Sequence, residues 1–166
     1  MAKNAETLVL IFKKLWKRTI SQINSSWYSS ATDDWGTPQA LFDELNDEFK
    51  FTLDACASAH NFKVNVYFTK EDDALVQDWV GTVWLNPPYG RTIGKWMAKA
   101  YAASQTGATV VCLVPARTDT IWWHDYAIKG EVRFLKGRLK FEQPGLTKNN
   151  PAPFPSAIVI FKGVTP

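Results

Sequence analysis

The most constraining feature of this sequence is its most apolar run, Ala108–Val114. The run is short and rich in β-branched residues, so it predicts a buried central strand. Shorter apolar runs predict further strands at Phe51–Leu53, Val64–Phe68, Thr82–Leu85 and Ser156–Phe161.

Helical patterns alternate with these strands and are predicted over Gln39–Phe49, Arg91–Gln105 and Asp119–Lys129. Thr37 supplies an N-cap oxygen and Pro38 suits the first helical position, which marks the start of the first helix. Alternating strands and helices are typical of an α/β domain with a mostly parallel central sheet. Glu131–Phe141 and the last strand are expected to pair in antiparallel fashion at one side of that sheet.

Composition excludes several classes of protein. The sequence lacks an apolar run of the roughly 18 residues that a membrane span needs. Its two cysteines and two histidines are too few for a disulfide framework and do not favour a zinc centre. We therefore expect a reduced, cytoplasmic protein with no metal site and no membrane partner.

The net charge of +3 conceals a strong division along the chain. Residues 19–80 carry three basic and eleven acidic side chains, whereas residues 81–166 carry eleven basic and four acidic ones. A basic second half beside an acidic middle is compatible with a polyanionic partner. Scattered, solvated surface charges would give the same distribution.

Residues 1–29 are expected to form a basic amphipathic helix followed by a linker. Apolar side chains recur at helical spacing between Glu6 and Ile23, and Lys13, Lys14 and Lys17 lie mostly on the other side. Such a helix packs against the rest of the chain or a second copy of it, or contacts a DNA backbone or a membrane surface.

Polar side chains follow three of the predicted strands. Asp54 ends the first strand, Asp73 comes after the second, and Asn86 directly follows the third. In an open α/β sheet, ligands bind beyond the carboxyl ends of the strands. Caps and turns would explain the two carboxylates as well, and a rigid extended loop would explain the prolines that follow Asn86.

The loop Asn86-Pro87-Pro88-Tyr89 suggests a specific chemistry. Its prolines fix the backbone, so the Asn86 side-chain oxygen and the Pro87 carbonyl can be aimed at one point. Two such acceptors hold both hydrogens of a planar exocyclic amine and favour a pyramidal nitrogen whose lone pair faces an electrophile. The ring of Tyr89 offers a face on which a base can stack.

An ordered set of motifs runs from about Ser30 to Phe161: DWGTP at 34–38, FTLD at 51–54, YFTKEDDAL at 67–75, NPPYGR at 86–91, PARTD at 115–119 and GRLKF at 137–141. With these motifs the chain resembles the amino-methyltransferases that use S-adenosylmethionine, and most closely the small phage-type DNA adenine methyltransferases. The resemblance implies a single Rossmann-like domain over residues 30–166, with helices on both faces of the sheet and an antiparallel C-terminal strand. It also implies a phage or prophage enzyme, acting in the bacterial cytoplasm, that methylates the exocyclic nitrogen of adenine in DNA.

The resemblance assigns the catalytic role to residues 86–89: Asn86, Pro87, Pro88 and Tyr89. The cofactor is expected to contact Asn86 and a second set of residues: Thr37, Pro38, Asp54, Ala55 and Asp73. Of these, Asp54 would face the methionine ammonium and Asp73 would accept from the adenine amine of the cofactor.

The target base would have to leave the duplex to reach such a site. Phe154 is expected to contact the flipped base beside Tyr89, although ordinary edge packing explains Phe154 equally well. Phosphate contacts are expected from basic residues of the second half: Arg91, Lys95, Arg117, Lys136, Arg138, Lys140 and Lys148.

One motif departs from the usual pattern. The cofactor loop of related enzymes contains glycines after the first strand, whereas residues 54–60 here read DACASAH. Small Ala and Ser residues still allow close approach to the backbone. Two alternatives remain open: a methyltransferase acting on RNA or on a protein amide, and a DNA-binding module of the same fold without turnover.

Overall fold

The computed structural model describes residues 36–142 and 151–164. The predicted N-terminal helix and Lys148 lie outside these residues. The described part of the chain is an α/β structure with a mixed five-stranded sheet and three α-helices.

The strands and helices follow one another along the chain. The strands are β1 (Leu53–Asp54), β2 (Thr82–Leu85), β3 (Thr109–Pro115), β4 (Glu131–Phe134) and β5 (Ser156–Phe161). The helices are α1 (Gln39–Phe49), α2 (Ile93–Gln105) and α3 (Ile121–Asp125), and a 3₁₀ turn at Ala127–Lys129 follows α3.

The strand order in the sheet is β1-β2-β3-β5-β4. β1, β2 and β3 are parallel, and β5 is antiparallel to both of its neighbours. It follows that β4 points in the same direction as β3. The structure thus confirms the central position of β3 and the antiparallel direction of the C-terminal strand.

β2, β3 and β5 are largely buried, and their side chains alternate between two apolar clusters, as the pleat of a strand requires, whereas β4 at the edge is partly exposed. Val110, Cys112 and Val114 of β3 pack with residues of α2 and α3, including Met97 and Trp123. The intervening Val111 and Leu113 pack in a second cluster with residues of α1 and of nearby loops: Phe42, Leu45, Phe51 and Phe141.

Two predicted strands differ from the observed ones. The first begins at Leu53 rather than Phe51, and the Phe51 ring packs against Phe42 and Trp84, at centroid distances of 5.6 and 5.4 Å. The strand predicted at 64–68 was wrong: in the described chain, Tyr67 forms an isolated bridge with Asp54. The alternating apolar residues of this segment do not form a buried face, since Val66 is 61% exposed.

The helix boundaries also show differences. α1 has the predicted bounds, but its N-cap residue is Pro38 rather than Thr37. Proline has no side-chain oxygen, and the Glu142 carboxylate accepts the hydrogen bond of the Gln39 N–H instead, at 3.1 Å. The helix predicted over 119–129 divides at Tyr126, whose φ of −128° is not helical.

Candidate active site

The candidate site lies where the parallel strands β1 and β2 end. Asp54 pairs in register with Trp84, and the Ala55 N–H donates to the Trp84 carbonyl at 2.9 Å. Asn86 follows two residues after Trp84, so the loop of residues 86–89 leaves the sheet at the same edge as Asp54. The direction of the strands therefore brings together the two polar positions that the sequence predicted.

Asp54 is a buried carboxylate, with 2% of its surface exposed. Its Oδ1 accepts the Cys56 N–H at 3.3 Å and its Oδ2 accepts the Lys63 N–H at 3.0 Å. Burial raises the pKa of Asp54 to about 6, and the two N–H donors and the Lys63 charge oppose that rise. The pKa of the neighbouring Cys56 thiol is raised to about 12, by burial and by the Asp54 charge.

Tyr89 connects the loop to the central strand. Its hydroxyl lies 2.8 Å from Asn86 Oδ1 and 3.1 Å from the Leu113 carbonyl oxygen, and its one hydrogen is shared between these acceptors. Its ring meets Phe141 and Phe154 edge to face, at centroid distances of 5.8 and 5.5 Å. Burial raises the pKa of the Tyr89 hydroxyl well above its usual value, so the group stays a donor at neutral pH.

The structure places the other predicted cofactor residues on loops. Thr37 is buried beside the start of α1, and Ala55 is buried directly after Asp54. Asp73 lies in an exposed series of turns with a positive φ of 47°. It was expected to follow a strand, and it does not, because residues 64–68 do not form one.

The predicted phosphate-binding residues within the described chain lie on the surface. Lys136, Arg138 and Lys140 are exposed, on an irregular segment that follows β4. Two apolar side chains of the same segment, Leu135 and Leu139, pack against the second apolar cluster. Arg91 and Lys95 are exposed near the start of α2, and Arg117 is half-buried just after β3.

Sequence reasoning missed two residues beside the site, Lys63 and Glu142. The Lys63 ammonium forms an ion pair with Glu142 at 3.4 Å, although its side chain is only 9% exposed. The two residues are 79 positions apart, and no local pattern indicates such a contact.

No helix within residues 36–142 and 151–164 combines the length and the apolar character needed to span a membrane.

Comparison with known proteins gives a consistent picture. A model of the DNA N-6-adenine-methyltransferase (Dam) family matches residues 24–165. A DNA N-6-adenine-methyltransferase of Haemophilus phage HP1 is 34% identical over 102 residues, which cover 60% of this chain and 59% of the relative. A protein of the same name from Escherichia phage T1 is 32% identical over 94 residues, 55% of this chain and 39% of the relative. The matched segment thus spans less than two thirds of either relative.

Proposed function

We propose a function for this chain from one premise: it belongs to the DNA N-6-adenine-methyltransferase (Dam) family. It transfers a methyl group from S-adenosylmethionine to the exocyclic amine of adenine in DNA. The observation that carries the proposal is the position of the Asn86–Tyr89 loop, at the same sheet edge as the buried carboxylate of Asp54.

In this proposal the Asn86–Tyr89 loop binds the target amine. Asn86 Oδ1 and the Pro87 carbonyl accept the two amine hydrogens and orient the nitrogen lone pair. The Tyr89 hydroxyl supports this role because its 2.8 Å hydrogen bond fixes the side-chain oxygen of Asn86. An amide oxygen has two lone pairs, so it is able to accept from the amine as well as from Tyr89.

The residues after β1 fit the amino-acid end of S-adenosylmethionine, which supplies an electrophilic methyl carbon. A buried carboxylate held by backbone N–H groups suits an ammonium ion, and Asp54 is such a group. Ala55 and the small residues that follow allow a ligand to approach the backbone. Thr37 and Pro38 complete this end of the site, and Asp73 accepts from the adenine amine of the cofactor.

DNA binding is the third part of the proposal. The target adenine leaves the duplex, which costs roughly a few kcal/mol, and stacks beside Tyr89 and Phe154. Phosphate contacts offset this cost. They come from Arg91, Arg117 and the exposed basic segment of Lys136, Arg138 and Lys140.

The proposal includes a Rossmann-like methyltransferase domain over residues 30–166. The two apolar clusters support it, since α1 contributes to one and α2 and α3 contribute to the other. Helices on both faces of a sheet are the usual cover for parallel strands. Such an enzyme would act on DNA in the bacterial cytoplasm.

Transfer of a labelled methyl group tests the proposal directly. The purified chain is incubated with labelled S-adenosylmethionine and with duplex DNA, RNA or a protein mixture in separate reactions. Label on N6 of adenine in DNA is the expected result. If only RNA or protein is labelled, that molecule and not DNA is the substrate. If the chain binds DNA but transfers no methyl group, it is a DNA-binding module without turnover.

A further inference from the structure

A lysine with a largely buried side chain, Lys63, is not used by the proposed chemistry and joins separate parts of the site. The Lys63 ammonium donates a 2.8 Å hydrogen bond to Gln39 Oε1 at the start of α1. It also pairs with Glu142 Oε2 at 3.4 Å. The backbone N–H of the same residue donates to Asp54 Oδ2 at 3.0 Å. Lys63 therefore contacts the carboxylate loop with its main chain and the start of α1 with its side chain.

Glu142 completes the connection. Its Oε1 accepts the Gln39 N–H at 3.1 Å, and its backbone exchanges two hydrogen bonds with Gly36, at 2.9 and 2.8 Å. A Cβ added at Gly36 would lie 3.2 Å from Glu142 atoms, so the approach of the two chains is close. We call the four residues Gly36, Gln39, Lys63 and Glu142 the Lys63 clasp.

The Lys63 clasp encloses the segment that is proposed to hold the cofactor. Thr37 and Pro38 lie between its members Gly36 and Gln39, and Asp54 is bonded to the main chain of Lys63. A lysine that is 9% exposed is costly to bury unless it is paired, so its two acceptors hold it in one position. The start of α1 and the Asp54 loop are thereby fixed relative to each other.

We propose that Lys63 is a positioning residue of the cofactor site, which fixes the Thr37–Pro38 segment relative to Asp54 and so sets the affinity for a ligand with an amino-acid end. This inference rests on the proposed function, because it takes Asp54 and Thr37–Pro38 as the groups that hold that end. Lys63 itself need not touch the ligand.

The test compares variants by calorimetric titration with S-adenosylhomocysteine and, separately, with duplex DNA. Lys63→Met keeps the backbone N–H and the aliphatic stem but removes the charge. We expect it to bind S-adenosylhomocysteine about tenfold more weakly, since loss of a supporting residue misplaces the groups it orients. Its DNA affinity should change by less than about twofold, because the Lys63 side chain is only 9% exposed and is not one of the proposed phosphate contacts.

Two further variants complete the design. Lys63→Arg retains the charge and should restore most of the affinity. Lys50→Met is the matched control, because Lys50 pairs with Asp47 at the exposed end of α1. If Lys63→Met does not fold, Glu142→Gln takes its place, because it removes the partner charge at an exposed position.

The outcomes separate the inference from the proposed function. If the wild-type chain does not bind S-adenosylhomocysteine, the proposed function fails. If the wild type binds and folded Lys63→Met binds equally well, the inference is wrong and the function stands. An equal loss of cofactor and DNA affinity, together with a lower melting temperature, would show that Lys63 only stabilises the fold.

Discussion

The hydroxyl of Tyr89 donates a 2.8 Å hydrogen bond to the side-chain oxygen of Asn86. The same hydroxyl lies 3.1 Å from the carbonyl oxygen of Leu113 on the central strand. Tyr89, three residues after Asn86 in the same loop, therefore connects the Asn86 amide to the central strand and fixes its position. This relationship gives Tyr89 two separable contributions, its hydroxyl and its ring.

Two substitutions at Tyr89 separate those contributions. Tyr89→Phe keeps the ring but removes the one O–H that Asn86 Oδ1 and the Leu113 carbonyl share, which costs about 1–3 kcal/mol of stability and loosens Asn86. We expect methyl transfer to fall about tenfold in Tyr89→Phe and to be lost in Tyr89→Ala, which also removes the stacking surface. Steady-state transfer and thermal melting measure both effects. Tyr101→Phe is the control, and a wild-type rate in Tyr89→Phe would show that the hydroxyl does not orient Asn86.

Replacement of Asn86 tests the proposed acceptor. Asn86→Ala removes the side-chain oxygen, and transfer should fall by a factor of about 100 or more, as when one stabilising hydrogen bond is lost at a reacting centre. Asn86→Asp retains an acceptor and should retain part of the activity. DNA affinity, measured by fluorescence anisotropy, should stay within about twofold of wild type in both variants. Full transfer by Asn86→Ala would contradict the mechanism.

The pKa of Asp54, raised to about 6 by burial, predicts a pH dependence of cofactor binding. An ammonium ligand needs the ionised carboxylate, so its affinity should rise with pH through about 6. Binding of S-adenosylhomocysteine should be about tenfold weaker at pH 5 than at pH 7. The neighbouring Cys56 thiol, whose pKa is raised to about 12, should stay uncharged across this range. Titration calorimetry on Asp54→Ala, where no such dependence is expected, is the control.

The same pKa has the opposite effect on the stability of the ligand-free protein. The native state holds the Asp54 proton more tightly than the unfolded chain, whose pKa is near 3.8. The stabilisation is therefore complete below about 3.8 and is lost as the pH rises through about 6. Between pH 4 and pH 7, the unfolding free energy of wild type should fall by about 2 kcal/mol relative to that of Asp54→Ala. If the unfolding free energies of the two proteins change with pH in parallel, the pKa of Asp54 in the native state is not raised.

The exposed basic segment predicts a change in salt dependence. Charge reversal at Lys136, Arg138 and Lys140 should weaken DNA binding and lower the slope of log K against log salt by about 0.9 for each lost phosphate contact. Binding isotherms at several salt concentrations give the slope. Reversal of three other exposed lysines, Lys50, Lys129 and Lys162, gives the matched control. If the slope is unchanged, this segment does not contact phosphates.

Gly163 gives a prediction for stability alone. A Cβ at this position would fall on the backbone carbonyl of Gly107, which cannot move as a flexible side chain does. Gly163→Ala should therefore lower the unfolding free energy by about 1–3 kcal/mol. Gly90→Ala is the control, because no heavy atom lies within 4 Å of its added Cβ. Urea denaturation measures the unfolding free energies of the two variants. If they are equal, a Cβ at position 163 does not clash with the Gly107 backbone.

Much of the fold could be predicted because its signals are local. The apolar run that became β3 and the periodicity of α1 both depend on near neighbours in sequence. The position of Asn86 at the same sheet edge as Asp54 also follows, because parallel strands end at the same edge of a sheet. Val66 shows where the local signal fails, since alternation indicates a strand only if another element covers the apolar face.

The supporting contacts of the site could not be predicted in the same way. Lys63 and Glu142 meet across 79 residues, and Tyr89 reaches Leu113 across 24. Such contacts depend on how the elements pack together, which a single sequence does not specify. The N-cap of α1 was misassigned to Thr37 for this reason, because the carboxylate that accepts the Gln39 N–H comes from Glu142.

The insertion of β5 between β3 and β4 has a consequence for synthesis on the ribosome. In the described sheet, β4 is joined to the other strands through β5, which is the last of the five to be translated. Until residues 156–161 emerge, a nascent chain presents the unpaired edges of β3 and β4 at the same time. The five-stranded sheet is therefore completed only late in translation. A chain whose translation stops before β5 would be prone to aggregation and dependent on chaperones.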